Sequence, residues 1–159
     1  MGIIGYNHIA PSYNELHSQE QLNKLKLIKT HFSPDHNALL LDVGCGTGLS
    51  SLLFNCVKVG IDSSIEMLRQ ATDMLRVLGF AKNLPFKDKA FDYSICLTAL
   101  HNFRDFRIAL SEMKRVTKWK IIVSVMKRSS RHSAICNHLK KHYKPYLLLN
   151  DRVDDIFFI

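Results

Sequence analysis

The feature that most constrains this chain is a short apolar run that ends in an acidic residue and is followed by three glycines. Residues 39–48 read LLLDVGCGTG. An apolar run of this length followed by glycines predicts a buried parallel strand that turns through a tight loop into a helix. Glycine is needed where the backbone adopts a positive φ or lies directly against a ligand. The amide groups of such a loop, at the start of a helix, are expected to form a small electropositive cup.

The spacing of the glycines and the next acidic residue narrow the kind of ligand. The glycines follow the pattern G-x-G-x-G rather than the G-x-G-x-x-G of dinucleotide-binding loops, and no lysine follows Gly48 as a phosphate loop requires. A second apolar run, residues 57–61, ends in Asp62. An acid at a strand end, roughly 20 residues past the first glycines, is where doubly wound sheets bind ribose hydroxyls. The ligand is therefore expected to carry a ribose and not to depend on a phosphate.

Segments typical of strands and of helices alternate along the rest of the chain. Strands are predicted over 38–43, 57–61, 77–81, 91–97 and 121–126, and helices over 14–32, 48–54, 63–76, 104–117 and 131–143. Ser63 is expected to begin its helix as part of a capping box. The alternation favours a parallel sheet with helices on both faces, which binds ligands beyond the carboxyl ends of its strands. The residues at those strand ends are Asp42, Asp62, Ala81 and Leu97.

Three segments in order, LDVGCGTG, GIDSSIEML and NLPFKDKAFDYSICLTALHNF, resemble the class I S-adenosylmethionine-dependent methyltransferases. Within that family the chain is similar to the small type 11 group, which includes ubiquinone- and menaquinone-type methyltransferases. The resemblance implies an α/β fold with a Rossmann-like, doubly wound, seven-stranded sheet. The sheet would be mostly parallel, with a C-terminal antiparallel hairpin formed by 146–149 and 155–159. It also implies a single domain over 1–159, with an N-terminal lid and helix over 1–32 and a cofactor-binding core over 38–159.

The resemblance implies S-adenosyl-L-methionine as the cofactor and S-adenosyl-L-homocysteine as the product. The loop backbone would lie against the methionine part, and Asp42 would face its ammonium group or, alternatively, hold the loop in place. Asp62 would accept hydrogen bonds from both ribose hydroxyls, or instead cap the following helix. The implied cofactor-binding residues are Tyr6, Tyr13, Asp42, Gly44, Cys45, Gly46, Asp62, Ser63, Met67, Phe80, Ala81, Leu97 and Thr98.

Some of these residues have a second possible role, and one departs from the residue type that the family usually has at that position. Met67 could touch the adenine or belong to the core, because it shares its helical spacing with apolar residues. Phe80 stands where the family often has an acid for the adenine amino group, so that contact would fall to the backbone of Ala81. Tyr6 and Tyr13 match a stretch that the family often uses as a lid, although a packed N-terminal extension is the alternative.

The chemistry of methyl transfer requires few catalytic groups. The acceptor must be aimed along the carbon–sulfur axis with water excluded, and a base is optional. His101, after the fourth strand, is the candidate base because it titrates near neutrality, although it could simply shape the pocket. We find no nucleophile and no metal-ligand spacing, and the four cysteines are expected to be reduced thiols. The acceptor is expected to be a small molecule; the alternatives are RNA or protein methylation, or a non-catalytic cofactor-binding module.

The charge distribution and the lengths of the apolar runs indicate which partners and which cellular location are expected. The net charge is +8, and ten lysines or arginines but no acids lie between Lys114 and Lys144. Such a segment could bind RNA or form an ordinary solvated face. The sequence shows neither a signal peptide nor an apolar run of about 20 residues, so a cytoplasmic protein without membrane contact is expected. Because substrate-selecting insertions are nearly absent, the acceptor pocket is expected to be shallow, to suit a large exposed substrate, or to be completed by the N-terminal segment, a second copy or a partner chain.

Overall fold

The fold was examined in a computed structural model that describes residues 13–159, with side chains from residue 18 onward. Tyr6 and most of the predicted lid lie outside these residues, and the side chain of Tyr13 is likewise not described. The helices are α1 (Tyr13–Lys29), α2 (Ile65–Gln70), α3 (Phe106–Val116) and α4 (His132–His142), with 3-10 turns at Leu49–Ser51 and Leu100–Asn102. The strands are β1 (Leu39–Val43), β2 (Val57–Asp62), β3 (Leu75–Leu78), β4 (Phe91–Cys96), β5 (Thr117–Met126), β6 (Leu147–Asn150) and β7 (Asp154–Phe158).

The seven strands form one sheet in the order β3-β2-β1-β4-β5-β7-β6. The first five strands are parallel, and β7 is antiparallel to both β5 and β6. The predicted fold class is therefore confirmed. The strand order reverses between β1 and β4, which makes the carboxyl ends of these strands the expected binding position in a doubly wound sheet.

Two apolar clusters cover the two faces of the sheet. One joins α3 and α4 to the sheet through residues such as Leu110 and Leu139, both fully buried. The other joins α1 to the opposite face through Leu25 and Ile28, which are also fully buried. The part of α1 with described side chains is therefore anchored by the apolar stripe that its sequence predicts, and it reaches the edge of the sheet where the strands end.

The segment after β2 differs most from the sequence prediction. The predicted helix over 63–76 ends at Gln70, and β3 begins at Leu75, two residues before the predicted strand. Ala71 adopts an extended conformation (φ −67°, ψ 126°) and Asp73 a left-handed one (φ 60°), which together end the helix. The apolar residues at helical spacing misled the prediction, because β3 is an edge strand whose pairing with β2 outweighs local helix propensity.

Two smaller boundaries also differ. The predicted helix over 48–54 is a single 3-10 turn, and β5 begins at Thr117 rather than at Ile121 because Thr117 already pairs with Phe91 of β4. Over residues 13–159, no helix combines the length and the apolar character that crossing a membrane needs.

Candidate functional site

A cavity of about 490 Å³ lies over the carboxyl ends of the first four strands. Its volume is in the range of small-molecule sites, roughly 300–1,000 Å³. The structure brings together here most of the residues expected to hold the cofactor. Those that line the cavity are Gly44, Cys45, Gly46, Asp62, Ser63, Met67, Phe80, Ala81, Leu97 and Thr98.

The glycine loop after β1 has the backbone that its sequence predicts. Gly44, Gly46 and Gly48 have φ values of 74°, 54° and 85°. A Cβ atom on Gly44 would lie 2.7 Å from the Cβ of Ala99, so this position also needs the missing side chain for space. Glycine is therefore required here by both conformation and packing.

The amide groups of this loop do not form the predicted cup. Gly44 and Cys45 donate their N–H groups to the carbonyl of Ile61, at 2.8 and 3.2 Å, and Gly46 donates to Asp62. The N–H of Gly48 donates to the carbonyl of Cys45 at 2.8 Å. Because these amides are already used inside the protein, the loop offers close backbone contact rather than an anion cradle. This agrees with the expectation that the ligand does not depend on a phosphate.

Asp62 links the glycine loop to the start of α2. Its Oδ2 accepts the N–H of Gly46 at 2.8 Å, and its Oδ1 accepts the N–H of Ser64 at 2.9 Å. Burial raises the pKa of Asp62, while these backbone hydrogen bonds act in the opposite direction. A carboxylate has about four acceptor positions, so Asp62 can still receive a hydroxyl hydrogen bond beside those from the backbone. The arrangement fits a ribose diol at the cavity wall.

Asp42 lies behind the cavity rather than on its wall. It is fully buried, and its Oδ2 accepts the hydroxyl of Ser50 at 2.5 Å. Its Oδ1 has no hydrogen-bond partner among the described residues. Burial, with a smaller contribution from the charge of Asp62, raises the pKa of Asp42 to about 7. Ser50 lines the cavity and Asp42 does not, so the geometry favours the alternative in which this acid holds the loop.

At the start of α2, the prediction that Ser63 caps the helix is wrong. Ser64, not Ser63, is the N-cap, and its hydroxyl accepts the N–H of Met67 at 3.2 Å. Ser63 instead lines the cavity. Met67 is 3% exposed and also lines the cavity, so it is both buried in the protein and available to a ligand.

The segment after β3 forms a more apolar wall. Phe80 is 51% exposed and lines the cavity next to Ala81. The ammonium of Lys82 lies 5.9 Å from the centre of the Phe80 ring, within reach of a cation–π interaction. The wall therefore offers an aromatic face and backbone groups where the family often has an acid.

A polar network on the opposite wall was not predicted from the sequence. Thr98, with a left-handed φ of 58°, follows β4 and lines the cavity with Gln21 of α1. The Oγ1 of Thr98 lies 2.5 Å from the Nζ of Lys24, 3.1 Å from the Nε2 of Gln21 and 3.2 Å from the Oδ2 of Asp154. Lys24 and Asp154 form an ion pair with both side chains 0% exposed. Ser124 of β5 donates to Asp154 at 2.8 Å and accepts the N–H of Thr98 at 2.8 Å.

The sequence did carry a signal for part of this network. Gln21 and Lys24 occupy the same helical stripe as the buried Leu25 and Ile28. Polar residues at core positions of an amphipathic helix must have partners, and they mark buried networks. Asp154, 130 positions away from Lys24, carried no comparable local signal.

His101 lies in the 3-10 turn after β4 and is not among the residues that line the cavity. Burial lowers the pKa of His101, and its Nδ1 has no hydrogen-bond partner among the described residues. The carbonyls of His101, Phe103 and Arg104 accept hydrogen bonds from the guanidinium of Arg131. His101 as a base therefore stays a prediction, without a contact to the cavity.

Part of the basic segment has a structural role. Arg131 holds the loop after β4, and Lys127 donates to Asn150 at 2.7 Å. Arg115 donates to Glu112 and Asp88 at 2.7 and 2.8 Å. Cationic side chains that bind internal acceptors are less available to an external phosphate, which weakens the case for an RNA-binding surface along this segment.

The fold brings three potential metal ligands together although the sequence spacing indicates none. His132 and Cys136 of α4 and Asp155 of β7 have ligand atoms within 4.8 Å of one another. The Nε2 of His132 lies 3.0 Å from Asp155, and Asn150 donates to the same carboxylate at 2.7 Å. Burial, with the charge of Asp155, raises the pKa of the Cys136 thiol to about 11. These contacts describe a His–Asp hydrogen bond beside a protonated thiol.

Comparison with known proteins agrees with the fold and identifies the family. Residues 41–120 match the type 11 family described as methyltransferase domain. The chain therefore belongs to this methyltransferase family, and the resemblance drawn from its motifs is confirmed, with S-adenosylmethionine as the cofactor that the family implies.

Three similar proteins illustrate the likeness. The uncharacterized methyltransferase YcgJ of Bacillus subtilis is 34% identical over 82 residues, which cover 43% of this chain and 32% of YcgJ. A solved S-adenosylmethionine-dependent methyltransferase from Aquifex aeolicus has a TM-score of 0.73 at 16% identity, covering 99% of this chain and 97% of its own. A Haloferax volcanii complex of the methyltransferase activator Trm112 with a protein described as a methyltransferase has a TM-score of 0.69 at 20% identity, covering 76% and 59%.

The sequence matches are local. They span between 32% and 47% of the length of the curated relatives. These relatives therefore support the cofactor-binding core, whereas the activity and the acceptor are matters of proposal.

Proposed function

We propose that this chain is an S-adenosylmethionine-dependent methyltransferase that acts on a small-molecule acceptor. The observation that carries the proposal is the cavity over the strand ends, where a positive-φ glycine loop faces Asp62. When bound between the glycine loop and Asp62, the cofactor would supply a methyl group on a sulfonium sulfur, which would take back the carbon–sulfur electron pair, and the proton that the acceptor gives up would pass to solvent. Among the described residues that line the cavity, the one thiol is that of Cys45, and burial raises its pKa, so it stays protonated and is a poor nucleophile.

The chain's own residues bind and position the reactants. Asp62 accepts the ribose hydroxyls, and Gly44 and Gly46 let the backbone approach the methionine part. The apolar wall at Phe80 and Ala81 packs on the adenine. Alignment of the acceptor with the carbon–sulfur axis and exclusion of water are then the main contributions of the protein to the rate.

The size of the cavity and the state of the basic residues support a small acceptor. About 490 Å³ suits a cofactor with a small partner molecule, while cations of the 114–144 segment such as Arg115 and Lys127 already contact acceptors of the same chain at its surface. A location in the cytoplasm belongs to the same proposal, because the four cysteines are free thiols.

Calorimetry with S-adenosylmethionine and S-adenosylhomocysteine tests the cofactor, and the absence of saturable binding would contradict the proposal. Transfer of labelled methyl groups into cell extract, separated into small molecules, RNA and protein, tests the acceptor. Label in small molecules supports the proposal. Label in RNA or in protein would assign a macromolecular acceptor, and cofactor binding without any transfer would favour a non-catalytic module.

A partner chain is a second element of the proposal. The Haloferax neighbour was solved with an activator protein, and in this chain β3 is an edge strand with Leu75 and Leu78 67% and 59% exposed. An exposed apolar edge strand can pair with a strand from another chain. Light scattering after size-exclusion chromatography measures the assembly. A monomer that binds the cofactor and transfers methyl groups without any partner would contradict this element.

A further inference from the structure

We propose that Gln21 is a ligand-binding residue whose side-chain carbonyl receives an N–H or O–H group from a molecule in the cavity. The inference rests on the proposed function, because the molecule is either the methyl acceptor or the cofactor, through its ammonium group. The site consists of Gln21 on α1 and Thr98 after β4, both of which line the cavity.

The first observation is an unpaired buried atom. Gln21 is 3% exposed, and its Oε1 has no hydrogen-bond partner among the described residues. Buried carbonyl oxygens in folded proteins nearly always have a donor, and an exception calls for a physical explanation. Gln21 lines the cavity, so a ligand group placed beside this side chain is the donor that can approach from outside the protein.

The second observation fixes which end of the amide is free. The ammonium of Lys24 can only donate to Thr98 Oγ1, and the carboxylate of Asp154 can only accept from it. The single proton of the Thr98 hydroxyl is thus directed to Asp154, which leaves only an acceptor position for Gln21. Gln21 must therefore present its NH₂ group to Thr98, as the 3.1 Å contact has it, and its carbonyl is left for another donor.

The third observation is that this orientation is held by four elements of the fold. Lys24 of α1 and Asp154 of β7 are both 0% exposed, and Ser124 of β5 bonds to Asp154 and to the backbone of Thr98 after β4. The bonds of a buried network favour one arrangement of its polar groups, here with the Oδ1 of Asp154 left without a partner among the described residues. The carbonyl of Gln21 is therefore held in place before a ligand binds, which lowers the ordering cost of binding.

A fixed neutral carbonyl selects the chemistry of its partner. It attracts amines, ammonium groups and hydroxyls, and it disfavours carboxylates and phosphates, whose oxygens have no proton to give. For an amine or hydroxyl acceptor, one N–H or O–H bonded to Gln21 would fix the direction of the lone pair that attacks the methyl carbon.

The test uses Gln21→Met, which keeps the length of the side chain but removes the carbonyl. Gln21→Asn, which retains the amide but withdraws it from the cavity, is the second variant if the first does not fold. Gln19→Met is the matched control, since Gln19 is exposed on the same helix. Calorimetry measures the affinity for S-adenosylhomocysteine, and labelled transfer at graded extract concentrations measures the apparent acceptor affinity of each folded variant.

Loss of one hydrogen bond at a buried site predicts about a tenfold weaker binding of whichever ligand donates it. A tenfold weaker affinity for S-adenosylhomocysteine assigns the cofactor's ammonium as the donor. An unchanged cofactor affinity, with a tenfold higher extract concentration needed for half-maximal transfer and the label on nitrogen or oxygen, assigns the acceptor. The inference is overturned if Gln21→Met binds both S-adenosylhomocysteine and the acceptor as tightly as the wild type does. It is also overturned if the variant binds S-adenosylhomocysteine as tightly as the wild type and the wild type transfers no methyl groups. Failure of the wild type to bind S-adenosylhomocysteine at all would instead refute the proposed function.

Discussion

The two walls of the cavity are built in different ways. The strand-end wall, formed by the glycine loop and Asp62, joins residues that lie 16 positions apart, as in the Gly46–Asp62 bond. The helix wall, formed by Gln21 and Thr98, joins residues 77 positions apart and depends on Asp154 near the C-terminus. The strand-end wall is formed by residues that are close in sequence, whereas the helix wall forms only when α1, β4 and β7 pack together.

The walls also differ in how charge is balanced. Asp154 is neutralised by Lys24 in a buried ion pair. Asp42 and Asp62 instead have raised pKa values, caused first by burial, and the charge of Asp62 raises the pKa of Asp42 further. Asp62 lines the cavity, whereas Asp42 is fully buried behind it. Among the described residues, the strand-end wall thus holds its acids without a direct ion pair, whereas the helix wall depends on one.

The largest effect on the helix wall is expected from Lys24→Met. Removing the cation leaves Asp154 buried without a counterion, so we expect a loss of about 3–5 kcal/mol in the free energy of unfolding. Urea denaturation measures it, with the exposed Lys26→Met as control. The double variant Lys24→Met/Asp154→Leu should recover most of the loss. A single variant as stable as the wild type would show that the pair does not hold α1 to β7.

Asp62→Ala should weaken cofactor binding at the strand-end wall. The variant loses the acceptor for the ribose hydroxyls and for the N–H of Gly46, so we expect about a hundredfold weaker binding of S-adenosylmethionine. Calorimetry measures the affinity, and the exposed Asp35→Ala is the control. An affinity within threefold (~0.7 kcal/mol) of the wild type would remove Asp62 from the site.

The raised pKa of Asp42 predicts a pH dependence of stability. Between about pH 4 and 7 the folded protein keeps a proton on Asp42 that the unfolded chain has lost. The free energy of unfolding should therefore fall as the pH rises through this window, by up to about 1.4 kcal/mol per pH unit, and level off above it. Denaturation of wild type and Asp42→Asn across this range isolates the contribution. If the free energy of unfolding changed with pH in the same way in the wild type and in Asp42→Asn, Asp42 would not be a buried acid that keeps its proton in this range.

The smallest effects are expected from alanine substitutions of the adjacent Ser63 and Ser64, which should change different properties. Ser64→Ala removes the N-cap of α2 and should cost about 1 kcal/mol of stability. Ser63→Ala should leave stability nearly unchanged and act instead on cofactor affinity, because Ser63 lines the cavity. Thermal melting and calorimetry of both variants measure the pair of effects. The reverse assignment would restore Ser63 as the cap, as the sequence predicted.

Prediction from the sequence succeeded where the physical cause is local. The strands, the glycine loop with its positive φ values and the acid after β2 follow from spacing and from backbone conformation. It failed at the end of α2, where Leu75 continues a helical pattern but pairs with Val59 in the sheet. It also failed for the amide cup, since the sequence does not show that Ile61 accepts the amides of Gly44 and Cys45.

By itself the sequence determined the alternation of elements, the conformation of the glycine loop and the acid that faces it, because each depends on neighbours within about 20 residues. The folded structure was needed to show that Asp42 is hidden behind Ser50 and that Gln21 lines the cavity with a carbonyl that has no partner among the described residues. The reason is that burial and hydrogen-bond partners are properties of space, and Thr98 obtains its partners from α1 and β7.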